Sequence, residues 1–223
     1  MEEKREHRTG YESPSWWYDI RGFFILKLAY RGSLWKQVSF FKKNMESNRG
    51  GAHLEAAIGS GTLFSMVLFA LGHRRRAVKE IVGFDYADQM LQGALRRFGK
   101  DARIRLLAAD VHKLPFADGS FQTANVANAI HCFSRIEEAL SEIFRVLQPG
   151  GLLATNVLLN PRGLRVQRWM ANRINRWGQK KGILYRTYEA EEFLTLVKQA
   201  GYLVVVDEIQ GNGLFLVLKR PTS

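Results

Sequence analysis

Short apolar runs alternate with helical patterns from residue 50 to the end of the chain. The first five runs of strand length are residues 52–58, 80–84, 104–108, 123–129 and 151–159. Between them, residues 63–71 are largely apolar, while residues 87–98 and 136–147 repeat apolar side chains at the spacing of an amphipathic helix. Strands that alternate with helices in this way predict a parallel sheet with crossover helices.

The end of the chain departs from this alternation. Residues 189–200 have a helical pattern, and the apolar runs 202–209 and 214–218 are joined by the short connection Gly211-Asn212-Gly213, which is typical of a hairpin. Pro149-Gly150-Gly151 is interpreted as the stop of the preceding helix. We therefore predict an α/β, Rossmann-like, doubly wound fold, with a mostly parallel seven-stranded sheet that has an antiparallel edge strand.

Two segments lie outside the strand and helix pattern. Residues 11–45 are rich in aromatic side chains and are predicted to be helical. Residues 161–188 hold eight arginines and lysines and no acidic residue. Within them Val166, Trp169, Met170, Ile174 and Trp177 recur at helical spacing, so we predict a basic amphipathic helix.

Composition narrows the class of protein. A chain of 223 residues with 46% hydrophobic side chains has enough apolar surface for one sizeable core, and its net charge of +12 favours acidic partners such as nucleic acid, anionic lipid or an anionic small molecule. The lone Cys132 excludes a disulfide framework and a four-cysteine zinc site. The first ten residues are too acidic and polar for a secretory signal, which predicts a cytoplasmic location. The longest apolar stretches are shorter than the about 18–20 residues that cross a bilayer.

Three features follow the ends of the predicted strands. Gly59 and Gly61 form a turn after the first strand, where backbone amides can approach a nucleotide-like ligand closely. Asp85 follows the second strand and can accept hydrogen bonds from both ribose hydroxyls, while Asp110 follows the third and suits an exocyclic amine. The alternatives are a simple tight turn for the two glycines, a helix-capping role for Asp85 and a plain loop position for Asp110.

Residues 54–159 resemble a known family on the strength of three stretches. They are Asp110-Val-His-Lys-Leu-Pro-Phe-Ala-Asp-Gly-Ser-Phe121, Asn128-Ala-Ile-His131 and Arg145-Val-Leu-Gln-Pro-Gly-Gly151. In this order and spacing they are similar to class I S-adenosylmethionine-dependent methyltransferases, in the group that includes the quinone-biosynthesis C-methyltransferases. The resemblance implies S-adenosyl-L-methionine as cofactor and one methyltransferase domain over residues 1–223. Its parts are an amino-terminal helical lid (1–49), a cofactor-binding core (50–160), the basic insertion (161–188) and a carboxyl-terminal helix and hairpin (189–223).

The resemblance also implies the site residues. Those assigned to cofactor binding are Glu55, Ala57, Gly59, Gly61, Asp85, Tyr86, Met90, Asp110, Val111 and Asn128, with a core role for Met90. The chain departs from the family at Ala57, where a glycine is usual, and at Gln122, where an acid often stands. An inactive member that still binds the cofactor is therefore an alternative.

His131 is the candidate catalytic residue, because an imidazole can accept a proton near neutral pH. A packing role for His131 is the favoured alternative, since displacement from a sulfonium needs positioning more than a strong base. His112 is predicted to face solvent and Cys132 to be a buried apolar residue. No closely spaced set of histidines and cysteines predicts a metal site.

The acceptor is expected to be a small apolar or amphipathic molecule. Tyr18, Phe23 and Trp35 are candidates for lining an apolar pocket, with a helix packed on the sheet as the alternative. The basic insertion suits a helix on an anionic membrane surface or, with less support, a nucleic-acid site. A solvated helix with a buried tryptophan stripe is its simplest interpretation. RNA methylation and an inactive docking module are the alternative functions.

Overall fold

The computed structural model describes residues 32–73 and 78–222, which form one seven-stranded sheet with helices on both faces. The strands are β1 Ala52–Ala56, β2 Glu80–Asp85, β3 Ile104–Ala108, β4 Phe121–Val126, β5 Leu147–Leu158, β6 Leu203–Gln210 and β7 Gly213–Lys219. The helices are α1 Leu34–Glu46, α2 Thr62–Leu71, α3 Asp88–Phe98, α4 Ile136–Val146, α5 Arg165–Lys180 and α6 Ala190–Gln199. A short 3-10 turn covers Ile130–Cys132. Most of the predicted lid, including Tyr18 and Phe23, lies outside the described residues.

The sheet has the strand order β3-β2-β1-β4-β5-β7-β6. β7 runs antiparallel to both of its neighbours, while the pairs among β1 to β5 are parallel. The predicted fold class is confirmed, and so is the hairpin, whose second strand lies inside the sheet while β6 forms the edge. The direction of the strand order reverses between β1 and β4, and this is where open parallel sheets bind ligands.

The Pro-Gly-Gly stretch was predicted to separate α4 from β5, and this prediction is wrong. α4 ends at Val146, and β5 begins at the next residue. Phe121 of β4 pairs with Leu147, whereas Thr123 pairs with Leu152, so the intervening residues of β5 form a bulge. A bulge adds residues to one strand without ending it, which explains why a pattern typical of a helix stop lies inside a strand.

Two apolar cores hold the helices to the sheet. On one face, side chains of α1, α2 and α3 pack on Ile81 and Ile104. On the other, α4 and α6 pack on Leu54, Val82 and Ala124. Successive side chains of a strand point to opposite faces, so Leu54 faces α4 and α6 while its neighbours His53 and Glu55 face α1.

Arg145 joins two of the three stretches that carry the family resemblance, residues 110–121 and 145–151. Arg145 donates hydrogen bonds to the carbonyl oxygens of Leu114 and Phe116, at 3.1 and 2.8 Å, and to the carboxylate of Asp118 at 2.7 Å. It also forms a paired contact with Glu142, at 2.8 and 2.9 Å. The guanidinium therefore fixes the loop before β4, and these contacts are structural.

Replacing Arg145 by alanine should lower the free energy of unfolding by about 2–3 kcal/mol, because the loop carbonyls lose a charged donor. Arg145→Lys should give an intermediate loss, since an ammonium cannot reproduce the planar fork. Urea unfolding measures both changes. The control is Arg105→Ala, because Arg105 is exposed and makes only a 3.3 Å contact with Glu80, so it should cost less than about 1 kcal/mol. Equal losses from the two alanine variants would contradict the assignment.

Candidate active site

A cavity of about 510 Å³ opens at the carboxyl ends of β1, β2 and β4. It lies within the size range of small-molecule sites. Nine of the ten residues assigned to the cofactor from the sequence line it, and so does His131. The nine are Glu55, Ala57, Gly59, Asp85, Tyr86, Met90, Asp110, Val111 and Asn128. The fold therefore brings residues from four separate stretches of the chain to one place.

The turn after β1 is built from left-handed backbone. Gly59 has φ +60°, and a Cβ placed there would have no atom within 4 Å, so the turn presents bare backbone to open space. Ala57 also has a positive φ, of 51°. An L-residue in this region costs about 1 kcal/mol. The departure from the usual glycine therefore strains the backbone slightly as well as adding a methyl group.

Gly61 does not line the cavity, in contrast to its predicted role in binding the cofactor. It caps the amino terminus of α2 with φ 79°. A Cβ at this position would lie 2.4 Å from a ring carbon of Phe98. The close packing of α2 and α3 is sufficient to require glycine here, and the role of Gly61 in binding the cofactor stays a prediction.

Asp85 ties the glycine turn to the end of β2. Its Oδ2 accepts a hydrogen bond from the Gly59 amide and its Oδ1 accepts one from the Ala87 amide, both at 2.8 Å. Burial raises the pKa of the Asp85 carboxyl, and the amides of Ala87, Gly59 and Tyr86 partly oppose this shift. A carboxylate has about four lone-pair positions, so Asp85 keeps capacity for ribose hydroxyls.

Asp110 is held by His112, which the sequence analysis placed in solvent. Asp110 Oδ1 accepts hydrogen bonds from the His112 amide at 3.0 Å and contacts the imidazole Nδ1 at 2.6 Å. The His112 side chain is only 12% exposed. Burial raises the pKa of Asp110, but the contacts with His112 outweigh it and leave the pKa below its usual value. His112 therefore positions Asp110.

Glu55 belongs to a buried polar network that sequence analysis missed. Its Oε1 accepts a hydrogen bond from Asn125 at 2.7 Å and contacts His53 Nε2 at 3.1 Å. His53 Nδ1 contacts the Thr123 hydroxyl at 2.8 Å. With an ionised Glu55, the imidazole must carry its proton on Nε2 and accept from Thr123. The network orients Glu55 in the cavity wall.

The same network fixes α1 against the sheet. Asn44 of α1 donates to Asn125 at 2.9 Å, and Asn48 donates to the Thr123 hydroxyl at 2.9 Å. Buried polar groups are usually hydrogen-bonded, and in this network Asn44 Oδ1 is the exception, without a partner in the described residues. Because α1 contributes Leu34, Gln37 and Phe41 to the cavity, this network sets the position of one wall.

The outer wall is formed by α1, α5 and the loop after α5. Its apolar members include Leu34, Phe41, Leu158, Ile174, Ile183 and Leu184. α5 turns its small residues Ala171 and Gly178 inward, and a Cβ at Gly178 would meet Leu184 at 3.2 Å. The cavity thus has a polar end at the strand termini and, beneath α5, a mostly apolar chamber, in which Asn175 is a polar lining residue.

α5 confirms the predicted basic helix, but the alternative interpretation with a buried tryptophan stripe is wrong. Trp169 and Trp177 are 57% and 38% exposed. The inward face of α5 packs closely on Leu184 of the following loop, so this face admits only small residues. Trp35, predicted to line the pocket, is exposed and is not among the cavity residues. The apolar wall is supplied by other residues of α1.

His131 lies in the cavity wall and is 7% exposed. Desolvation lowers the pKa of its imidazole to about 3. At neutral pH such a group is uncharged and a weak base, so the packing interpretation fits the structure better than general-base catalysis.

The buried imidazole should make stability depend on pH. The unfolded chain protonates His131 below its ordinary pKa of about 6.5, while the folded chain stays unprotonated down to about 3, so stability falls as pH falls through this window. Between pH 8 and 5 this group alone should cost about 2 kcal/mol. Urea unfolding of His131→Leu should show this part of the slope removed. The exposed His73→Asn control should retain the slope, and an unchanged slope in His131→Leu would contradict the assignment.

Within the described ranges, no group of three or more histidine, cysteine, aspartate or glutamate side chains is arranged to hold a metal ion. Across residues 32–73 and 78–222, none of the helices combines the length and apolar character needed to cross a membrane.

The cavity lies at the switch point between β1 and β4, where open parallel sheets bind ligands. A family profile described as a methyltransferase domain matches residues 54–155. Over these residues the chain is similar to methyltransferase domains.

Named relatives agree with this similarity. Demethylmenaquinone methyltransferase of Thermus thermophilus is 39% identical over 101 residues, which are 45% of this chain and 44% of that protein. The chain thus spans less than half the length of this relative. 2-Phytyl-1,4-naphtoquinone methyltransferase of Thermosynechococcus vestitus is 27% identical over 183 residues, covering 76% of this chain and 79% of the relative.

A solved structure shows the same fold. Phosphoethanolamine N-methyltransferase 2 of Haemonchus contortus, in complex with S-adenosyl-L-methionine, superposes with a TM-score of 0.67 at 16% identity. The match covers 83% of this chain and 52% of that one. At this identity the similarity supports the fold.

Proposed function

We propose that this protein transfers the methyl group of S-adenosyl-L-methionine to a small apolar or amphipathic acceptor. The observation that carries the proposal is the single cavity that joins the turn at Gly59, with Asp85 and Asp110, to an apolar chamber under α5. A nucleoside and an apolar acceptor can therefore meet in one space. The profile match over residues 54–155 supports the same activity.

The residues present fit this cofactor. Asp85 would accept the ribose hydroxyls, and Asp110, fixed by His112, would accept the adenine amine. The contacts of Glu55 with His53 and Asn125 are both made by Oε1, which leaves Oε2 for the ammonium group. Tyr86 and Met90 would supply apolar contact at the adenosine end.

When bound, S-adenosylmethionine supplies an activated methyl group on a sulfonium. Its transfer to a nucleophilic atom of the acceptor would leave the electron pair of the broken carbon–sulfur bond on sulfur. The protein's part is to align the acceptor and to exclude water. His131 is too weak a base to remove an acceptor proton at neutral pH. The proposed acceptor is therefore acidic enough to react as its anion, or it releases its proton to water.

The acceptor is proposed to be an aromatic or quinone-like molecule. The relatives from Thermus and Thermosynechococcus are named for demethylmenaquinone and a phytyl naphthoquinone. The chamber around Phe41, Ile174 and Leu184 would receive an apolar ring.

We also propose that α5 contacts anionic membrane surfaces. Its exposed side bears Trp169 and Trp177 together with five arginines and lysines of the helix. Arg165, Arg168 and Arg176 line a second, polar groove beside Trp169, and no carboxylate lines that groove. Aromatic rings beside cationic groups are typical of a helix at a lipid interface. An apolar acceptor held in a bilayer would then be close to the cavity.

Cofactor binding is tested by calorimetric titration with S-adenosylhomocysteine. Asp85→Ala should weaken binding at least tenfold, because it removes the ribose acceptor and the partner of the Gly59 amide. Asp85→Asn keeps one oxygen and should lose less. Asp207→Ala on the exposed edge strand is the control and should bind like the wild type. Absence of binding by the wild-type protein would overturn the proposed function in favour of an inactive docking module.

Membrane contact is tested by sedimentation with phosphatidylglycerol vesicles, with phosphatidylcholine vesicles as the neutral reference. The double variant Arg168→Glu/Arg176→Glu should lose most of its binding to the anionic vesicles, about one kcal/mol for each basic residue removed. The control variant Lys100→Glu/Lys198→Glu has the same net charge. Lys100 follows α3 and Lys198 lies on α6, so this variant should bind nearly normally. Equal losses in the two variants would indicate a general charge effect. Binding to single-stranded RNA without vesicle binding would favour the RNA alternative.

A further inference from the structure

A chain of three side-chain amides links the end of β4 to α1 in the cavity wall. The backbone amide of Asn128 donates to Asn156 Oδ1 at 2.8 Å. Asn156 Nδ2 donates to Asn128 Oδ1 at 2.6 Å, and Asn128 Nδ2 donates to Gln37 Oε1 at 3.1 Å. Asn128 has a left-handed backbone, with φ 55°, which presents both its amide and its side chain to this chain.

The direction of every hydrogen bond in this chain follows from its first donor. A backbone N–H can only donate, so the atom of Asn156 that receives it must be oxygen. The nitrogen of Asn156 must then face the oxygen of Asn128, and the nitrogen of Asn128 must face the oxygen of Gln37. The orientation of each amide is thus fixed by contacts and not by an arbitrary choice between oxygen and nitrogen.

This series of hydrogen bonds ends at Gln37, whose side-chain nitrogen is a donor without an acceptor. Gln37 is 1% exposed, and its Nε2 has no hydrogen-bond partner in the described part of the chain. Buried amide nitrogens without a partner are rare because the group loses its hydrogen bonds to water. Gln37 lies in the cavity wall on the same helix as Leu34 and Phe41. The cavity wall therefore holds a donor without a partner in the described residues, and His112 Nε2, beside Asp110, is the other such atom among the lining residues.

We propose that Gln37 Nε2 donates a hydrogen bond to an oxygen atom of the methyl acceptor and so sets its orientation in the chamber. The acceptor class is an apolar ring system that carries a carbonyl or phenolate oxygen. The inference deepens the proposed function and rests on it. Gln37 is thereby a positioning residue for the acceptor, because one fixed polar contact in an apolar chamber selects a single orientation of a flat ring.

The experiment compares two probes that differ in one oxygen. 1-Tetralone has a ketone, and tetralin is the same bicyclic hydrocarbon without it. Both are titrated into the protein by chemical-shift perturbation, with and without saturating S-adenosylhomocysteine. The wild-type protein should bind tetralone about tenfold more tightly, which corresponds to one buried hydrogen bond.

Gln37→Leu should remove this preference, because leucine has a similar size and no donor. Gln199→Leu is the matched control, since Gln199 is an exposed residue at the end of α6 and should keep the preference. The binding of S-adenosylhomocysteine and the thermal midpoint check that each variant folds.

Asn156→Asp tests the relay with Gln37 itself unchanged. A carboxylate cannot donate to Asn128 Oδ1, so the Asn128 amide should turn its nitrogen toward position 156, and Gln37 should in turn present its oxygen to the chamber. The preference for tetralone should then vanish, and 1,2,3,4-tetrahydroquinoline, which offers an N–H donor, should bind more tightly than tetralin. A purely structural Gln37 would not invert the selectivity.

Equal binding of tetralone and tetralin by the wild-type protein would overturn the inference, and would indicate that Nε2 is satisfied by a buried water. A tetralone preference that survives in Gln37→Leu would overturn it as well. Failure of the wild type to bind S-adenosylhomocysteine, with the tetralone preference intact in the titration without it, would overturn the proposed function and leave the donor assignment standing.

Discussion

The two hydrogen bonds of the Asp85 carboxylate hold the candidate active site together. One anchors the amide of Gly59 and the other the amide of Ala87, so a single side chain sets the turn after β1 relative to the start of α3. Gly59 can take the left-handed backbone of this turn without strain, and Ala57 takes it at a small cost. The space for a nucleoside exists because this turn stays open, and the remaining elements of the cavity are arranged around it.

A second set of polar contacts positions the opposite wall. Glu55, His53 and Thr123 lie on the face of the sheet that α1 covers. Asn44 of α1 and Asn48, two residues beyond the end of α1, donate hydrogen bonds to Asn125 and Thr123. Apolar packing alone would allow α1 to slide along the sheet, whereas directional hydrogen bonds permit one position. Glu55 belongs to both the network and the cavity wall, so the contacts that position α1 also orient a side chain at the polar end of the cavity.

The sequence pattern located most elements closely. β3 has its predicted bounds, and the alternation of strands and helices was enough to predict the class of fold. Asp85 and Asp110 were found because residues at the carboxyl ends of parallel strands must share one edge. His112 was wrongly placed in solvent, because its side chain turns back onto Asp110 two residues earlier. Trp35 was wrongly placed in the pocket wall, since it is exposed. The cofactor role of Gly61 stays a prediction, although its contact with Phe98 comes from another element.

By itself the sequence determined the fold class, the glycine turn and the acids beside it. These follow from local periodicity and from residues adjacent to strand ends. Only the tertiary structure decided which side of α5 faces inward and that Gln37, Asn128 and Asn156 meet. The helical spacing of Trp169 and Trp177 indicates an amphipathic helix but does not say which face is covered, and the bulk of Leu184 beneath Gly178 decides it. Gln37 and Asn128 are separated by 91 positions, so no local pattern can bring them together, and their contact depends on the packing of α1 on the sheet.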